Sequence, residues 1–171
     1  MPLDLRTAAT APFERAAAHR LFDALAGRWE GPTRTFLEPT APAVQSVTYA
    51  RFERILGGRF LRMEYRSELQ GKPHAGEWLV AFERAEARCQ TAWVDSFHTG
   101  TGMIQSTGTV DDEGVLEVLG SYAAGETRWG WRTRLALEAG DSLVLRSFNL
   151  SPEGVEDLAI ETHLSRLPDL E

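Results

Sequence analysis

The chain has 171 residues, 43% of them hydrophobic, and a formal net charge of -7 at pH 7. That length holds one well-buried core and falls short of two ordinary domains, so a single domain is expected. The acidic balance excludes the clustered basic surface that phosphate-backbone binding needs, so nucleic acid is not an expected partner.

The first residues, Met1-Pro2-Leu3-Asp4-Leu5-Arg6, lack a basic start followed by an apolar core, and no later apolar run reaches membrane-spanning length. The expectation is a soluble, cytoplasmic protein without membrane insertion. Thr10-Ala11-Pro12 with Glu14 predicts a helix start: a hydroxyl cap, a proline in the first turn and an acid near the positive end of the dipole. Phe13, Ala17, Leu21 and Leu25 continue at helical spacing, and Gly27 supplies the stop. Residues 1–26 are therefore expected to form an N-terminal segment with a capping helix, and residues 27–167 the β-barrel domain.

From Trp29 onward the apolar period changes to two. Alternation runs through Val47 to Phe52, Phe60 to Arg66, Glu77 to Phe82, Cys89 to Phe97, Ile104 to Val110, Val115 to Tyr122, Arg128 to Leu137, Leu143 to Leu150 and Glu156 to Arg166. Turn chemistry separates these segments, as in Gly71-Lys72-Pro73, Asp111-Asp112-Glu113-Gly114 and Ser151-Pro152-Glu153-Gly154. A meander of about eight to ten strands removes its exposed edges by closing, which predicts an all-β fold: an antiparallel up-and-down barrel with one short helix capping an end.

The candidate ligand-binding interior is Tyr65, Trp78, Phe82, Trp93, Met103, Trp131 and Phe148, with two acids to consider. Thr91, Trp93, Asp95 and Phe97 share one face of their strand, so an inward Trp93 brings Asp95 inward as a buried carboxylate in need of a partner. Arg62, Arg132 and Arg134 are candidates for that partner. Simple alternation puts Glu64 outside with Arg62 and Arg66, and an inward, arginine-paired Glu64 is the functional alternative. Asp95-Ser96-Phe97-His98 holds the residue types of a hydrolase triad, but neighbours on a strand point to opposite faces and no nucleophile-elbow glycines flank Ser96. His19 and His74 read as surface polar residues without metal-ligand spacing. Cys89 stands alone, which excludes an intrachain disulfide and a thiol-based metal cluster. No catalytic residue, metal or cofactor is expected.

Several segments together, Leu25-Ala26-Gly27-Arg28-Trp29-Glu30-Gly31, Ile55-Leu56-Gly57-Gly58-Arg59-Phe60-Leu61, Glu64-Tyr65, Trp93-Val94-Asp95-Ser96, and Glu161 with Arg166, resemble the bacterial DUF1579 family of unknown function. The likeness runs from about Leu25 to Arg166 and leaves the segment up to Ala24 outside. It implies a lipocalin-like or calycin-type barrel. In such barrels the tryptophan after Gly-x-Trp is packed by an arginine of the last strand, which implies that Gly27, Trp29 and Arg166 close one end. Gly27-x-Trp29-x-Gly31 also resembles the start of the nitrobindin motif, although Thr33 stands where that motif continues to another glycine. Nitrobindins use a late histidine as haem ligand, and here His163 lies in the last strand. Because His163 shares a face with Glu161 and Ser165, it is expected to point outward and not to bind iron.

The leading functional expectation is a binding protein for a small apolar or amphipathic molecule, with an interior void near Trp93 of at least about 300 Å³. The alternatives are a haem-binding nitrobindin-like barrel, a fully packed structural or self-associating domain, and an isomerase or hydrolase using Glu64 or Asp95 as a general base. A homodimer is compatible with all of these.

Overall fold

The computed structural model describes residues 12–139 and 141–168. A helix, α1 (Ala17–Leu25), leads into ten strands: β1 (Gly27–Thr35), β2 (Val44–Ile55), β3 (Phe60–Leu69), β4 (Lys72–Glu83), β5 (Arg88–Asp95), β6 (Ile104–Val110), β7 (Leu116–Ala124), β8 (Thr127–Glu138), β9 (Ser142–Leu150) and β10 (Glu156–Arg166). A single 3-10 turn, Leu56–Gly58, joins β2 to β3. Each strand pairs antiparallel with the next, and β10 pairs with β1, so the sheet closes as an up-and-down barrel. No helix among the described residues is long and apolar enough to cross a membrane.

The helix starts later than its capping chemistry predicts. Thr10 and Ala11 lie outside the described residues, and Pro12 to Ala16 are not helical. Ala16 occupies the N-cap, and its backbone N–H donates to Nδ1 of His19 at 2.9 Å, so a reach-back imidazole replaces the hydroxyl cap. His19 is thus a buried structural residue and not the surface residue its position suggested. Burial lowers its pKa first, and the Arg15 charge adds to that, because both disfavour the imidazolium.

The barrel interior has two halves. Beneath α1 it is apolar and packed: Phe22 and Leu25 of the helix meet Trp29, Phe52, Leu61, Val80, Leu116, Leu135, Leu143 and Leu164 from the strands. Closure there is enforced by Arg166, whose guanidinium lies 4.2 Å from the centre of the Trp29 ring. The same group donates to the carbonyls of Ala26 at 2.7 Å and Ala24 at 2.5 Å, satisfying acceptors that the helix C-terminus leaves open. Trp29 donates its indole N–H to the Leu25 carbonyl at 2.9 Å. Gly27 is needed at this junction because its φ is +137° and a Cβ would come within 2.7 Å of Arg166 Nη1.

The other half changes character. Two to four residues further along each strand, the inward positions become Thr33, Thr48, Ser67, Thr133, Ser147 and Thr162, all buried. Thr33 bonds Thr48 at 2.6 Å and Thr162 at 2.9 Å, and Thr48 donates to Ser67 at 3.1 Å. These hydroxyls satisfy one another, so the layer can be buried without charge. It forms the floor of a space that opens at the end opposite α1.

Candidate functional site

Above the hydroxyl floor lies an inner slot of about 70 Å³, walled by Met63, Tyr65, Trp78, Trp93, Trp131, Leu145 and Ile160 with His74 and His98. It continues into a vestibule of about 550 Å³ bounded by Phe36, Leu37, Met103, Ile104, Tyr122 and Ala159. Trp93, His98, Trp131 and Ile160 line both spaces. Trp93 and Trp131 stack with ring centroids 5.2 Å apart and planes 13° from parallel, and so form a flat wall at the junction. The inner slot is smaller than the expected interior void of about 300 Å³; the larger volume belongs to the open vestibule beside it.

One side of the slot is a hydrogen-bonded cluster centred on Asp95, the last residue of β5, whose side chain has no exposed surface. In the sheet, Tyr65 pairs with Gly76 and Gly76 with Asp95. Gly76 carries no side chain, and a Cβ there would overlap Tyr65 Oη; the phenol therefore passes over it and donates to Asp95 Oδ2. Trp93 Nε1 donates to Tyr65 Oη at 2.9 Å, extending the chain of bonds into the aromatic wall. His74 Nδ1 lies 3.2 Å from Oδ2.

After Asp95 the strand ends in a tight turn, in which the backbone N–H groups of Phe97 and His98 donate to Oδ1, each at 2.7 Å. The turn brings His98 back over the mouth, with its Nδ1 3.1 Å from Oδ1. Five donors thus meet one carboxylate. Burial opposes ionisation of Asp95, but the bonds from His98 and Tyr65 outweigh it and hold the carboxyl well below the usual carboxylate range. Tyr65 responds in the opposite sense: burial, and then the neighbouring Asp95 charge, push its phenol far up, so it stays protonated as a donor.

Glu64 is on the outer face, where simple alternation puts it, between inward Met63 and Tyr65; it pairs with Arg62 at 3.2 Å, so the inward alternative and its place among the cavity candidates fall. Other sequence expectations need correction. Phe148 is outward because its neighbour Ser147 faces in. Phe82 points inward but at the helix end, where its ring meets His19 at 5.9 Å, so it lies outside the cavity. Met103 is 57% exposed on the vestibule rim instead of inside the barrel. Phe97 leaves the Trp93 face because the strand has ended, and it is exposed.

The Asp95 partner is none of the three arginines. Arg62 bonds Glu53 at 2.9 Å, Arg132 bonds Glu117 at 3.0 Å and forms an ion pair with Glu156 at 3.0 Å, and Arg134 is exposed. His74, read as a surface turn residue, is largely buried beside Asp95. The sequence reading missed both its inward direction and the hydroxyl floor. Each had a signal: His74 has the parity of Trp78, and Thr33, Thr133 and Thr162 have the parity of Trp29, Leu135 and Leu164. Ser96 sits on the opposite face from Asp95 and accepts from the Ala75 N–H at 3.1 Å, so the triad has no geometry here. His163 is exposed on the outside, its Nε2 3.4 Å from Glu161, in agreement with the strand parity.

The family model described as protein of unknown function (DUF1579) matches residues 14–166. The chain belongs to the DUF1579 family. The match takes in α1, so the helix segment before Ala24, expected to lie outside the likeness, is part of the DUF1579 unit. No curated protein matches the sequence. Among solved structures, the barrel is similar to the crystal structure of Rv2717c from M. tuberculosis, at 18% identity and a TM-score of 0.60, over 91% of this chain and all of that one. It is also similar to the S-type phycobiliprotein lyase CPES from Guillardia theta, at 11% identity and a TM-score of 0.60, over 99% of this chain and all of that one. At these identities the two likenesses establish the shared barrel fold of this DUF1579 protein.

Proposed function

We propose that this DUF1579 barrel binds a small amphipathic molecule, with its apolar body in the vestibule against Trp93 and Trp131 and a slim polar end in the slot. The observation that carries this reading is the continuous space running from an aromatic wall to a layer of hydroxyls, since a site that is apolar at one end and rich in donors and acceptors at the other selects a ligand built the same way. A fully packed barrel would leave no space in either half; here the helix half is filled, and in the other half Ile104, Trp131 and Ala159 pack with Trp93, Tyr122 and Ile160 beside a slot of about 70 Å³. The structural neighbour that is a phycobiliprotein lyase is compatible with a small-molecule role for the fold. Catalysis by Glu64 finds no support, because that acid faces away from the cavity, and Asp95 has its oxygens occupied by five donors.

The test is titration with an environment-sensitive amphipathic dye such as 8-anilinonaphthalene-1-sulfonate, read by dye emission and energy transfer from tryptophan. Ile160→Trp, which fills the junction between vestibule and slot, is expected to weaken binding by about tenfold or more, a loss of about 1.4 kcal/mol. Leu119→Ala, on the exposed outer surface, is expected to leave it unchanged. Dye binding that survives Ile160→Trp and disappears in Leu119→Ala would place the site outside the barrel.

A further inference from the structure

Asp95 is an enclosed carboxylate flanked by two histidines. Its side chain has no exposed surface, and no lysine or arginine bonds it among the described residues. Its donors are a phenol, two backbone amides and two imidazoles. The carboxylate thus stands between two imidazoles with no described lysine or arginine beside it, and both imidazoles line the cavity, so the cluster is reachable from the mouth.

The spacing is that of metal ligands. His74, Asp95 and His98 each offer a ligand atom, and the three atoms lie within 4.8 Å of one another. His74 Nδ1 lies 3.2 Å from Oδ2 and His98 Nδ1 lies 3.1 Å from Oδ1, so an ion between the imidazoles faces both carboxylate oxygens. Metal–ligand bonds of about 2.1 Å span each of these separations at an angle of about 95–100°. Two imidazoles with one carboxylate form a borderline N/O donor set, suited to a zinc-like ion with a coordination position left over. Tyr65 and the two backbone amides would continue to hold the carboxylate, as outer partners do for ligating groups elsewhere.

We propose that His74, Asp95 and His98 form a binding site for one divalent transition-metal ion, with its open coordination position facing the barrel cavity. In the metal-free protein each imidazole Nδ1–H is bonded to Asp95. On binding, each imidazole carries a proton on Nε2 and presents the Nδ1 lone pair to the ion. The site is distinct from the thiol cluster that a single cysteine excludes, since Cys89 is buried in the packed half.

The experiment is calorimetric titration of Zn²⁺ into chelator-stripped full-length protein. The expected result is one ion per chain, with His74→Ala and His98→Ala each weakening binding by about tenfold or more. His163→Ala, which removes the outer-face pair of His163 with Glu161, is expected to retain it. A wild type without saturable binding, equal binding by the His74→Ala/His98→Ala double variant, or loss on His163→Ala would overturn the proposal. If the histidine variants fail to fold by circular dichroism, the visible spectrum of wild type with Co²⁺ decides. Tetrahedral d–d bands without sulfur-to-cobalt charge transfer support it, and their absence or a charge-transfer band refutes it. Dye binding by the metal-stripped protein reports on the small-molecule reading separately, so the two can fail independently.

Discussion

Replacing Arg166 with alanine tests the mechanism that closes the barrel. The guanidinium is about three-quarters buried over Trp29, and at that degree of desolvation a cation–π contact contributes about 1 kcal/mol. Its bonds to the Ala24 and Ala26 carbonyls contribute about 1 kcal/mol each, because truncation leaves two helix-end acceptors beside a buried indole. The bond to Asp141 adds little, since that acid is exposed. The sum is a loss of about 3 kcal/mol, which for a chain of this length lowers Tm by roughly 6–12 °C. Urea unfolding followed by tryptophan emission measures it, with the midpoint falling and the slope m unchanged. Arg166→Lys keeps the charge but not the planar fork, and is expected to recover less than half of the loss. A cost below about 1 kcal/mol for Arg166→Ala would refute the reasoning, since the cation–π contact alone accounts for that much.

Gly76→Ala should displace Tyr65 from Asp95 and cost about 2 kcal/mol or more, because the added methyl competes with both the phenol and the Val94 carbonyl; chemical denaturation measures the loss and a crystal structure the displacement. Asp95→Asn should cost about 3 kcal/mol at neutral pH, because the amide offers donors where Tyr65 and His74 already donate. The pH dependence has a defined sign. The folded Asp95 pKa is depressed, so its stabilisation is fully present above the unfolded carboxylate pKa near 4 and is lost as pH falls through the folded value. The stability gap between wild type and Asp95→Asn should therefore be constant from about pH 7 to 5 and narrow below about pH 4; a gap that widens on acidification would contradict the assignment.

The barrel was legible because alternation and turn chemistry agree along nine successive segments, and an up-and-down meander of that length has few alternatives to closure. The helix start was misread because Thr10, Pro12 and Glu14 offer good local capping chemistry, whereas the structure places the N-cap at Ala16 with a histidine reaching back, an unusual cap. Inward and outward faces were readable where one parity is polar, as at Glu64, and obscure in Leu143-Val144-Leu145, where both parities are apolar and Phe148 was placed on the wrong side. The Asp95 cluster was only half visible. Strand parity brings Tyr65, His74 and Asp95 to one face, but His98 reaches the same carboxylate only through the turn after β5, whose course depends on the backbone bonds to Oδ1.

The central claim, that the open half of this barrel holds a small amphipathic molecule, is tested most directly by a high-resolution crystal structure of protein purified from its native cells without added ligand. The account predicts elongated density running from the vestibule past the Trp93–Trp131 wall toward the Thr33–Thr162 hydroxyls. A slot and vestibule filled by the protein's own side chains, with no density for another molecule between the Trp93–Trp131 wall and the Thr33–Thr162 hydroxyls, would contradict it.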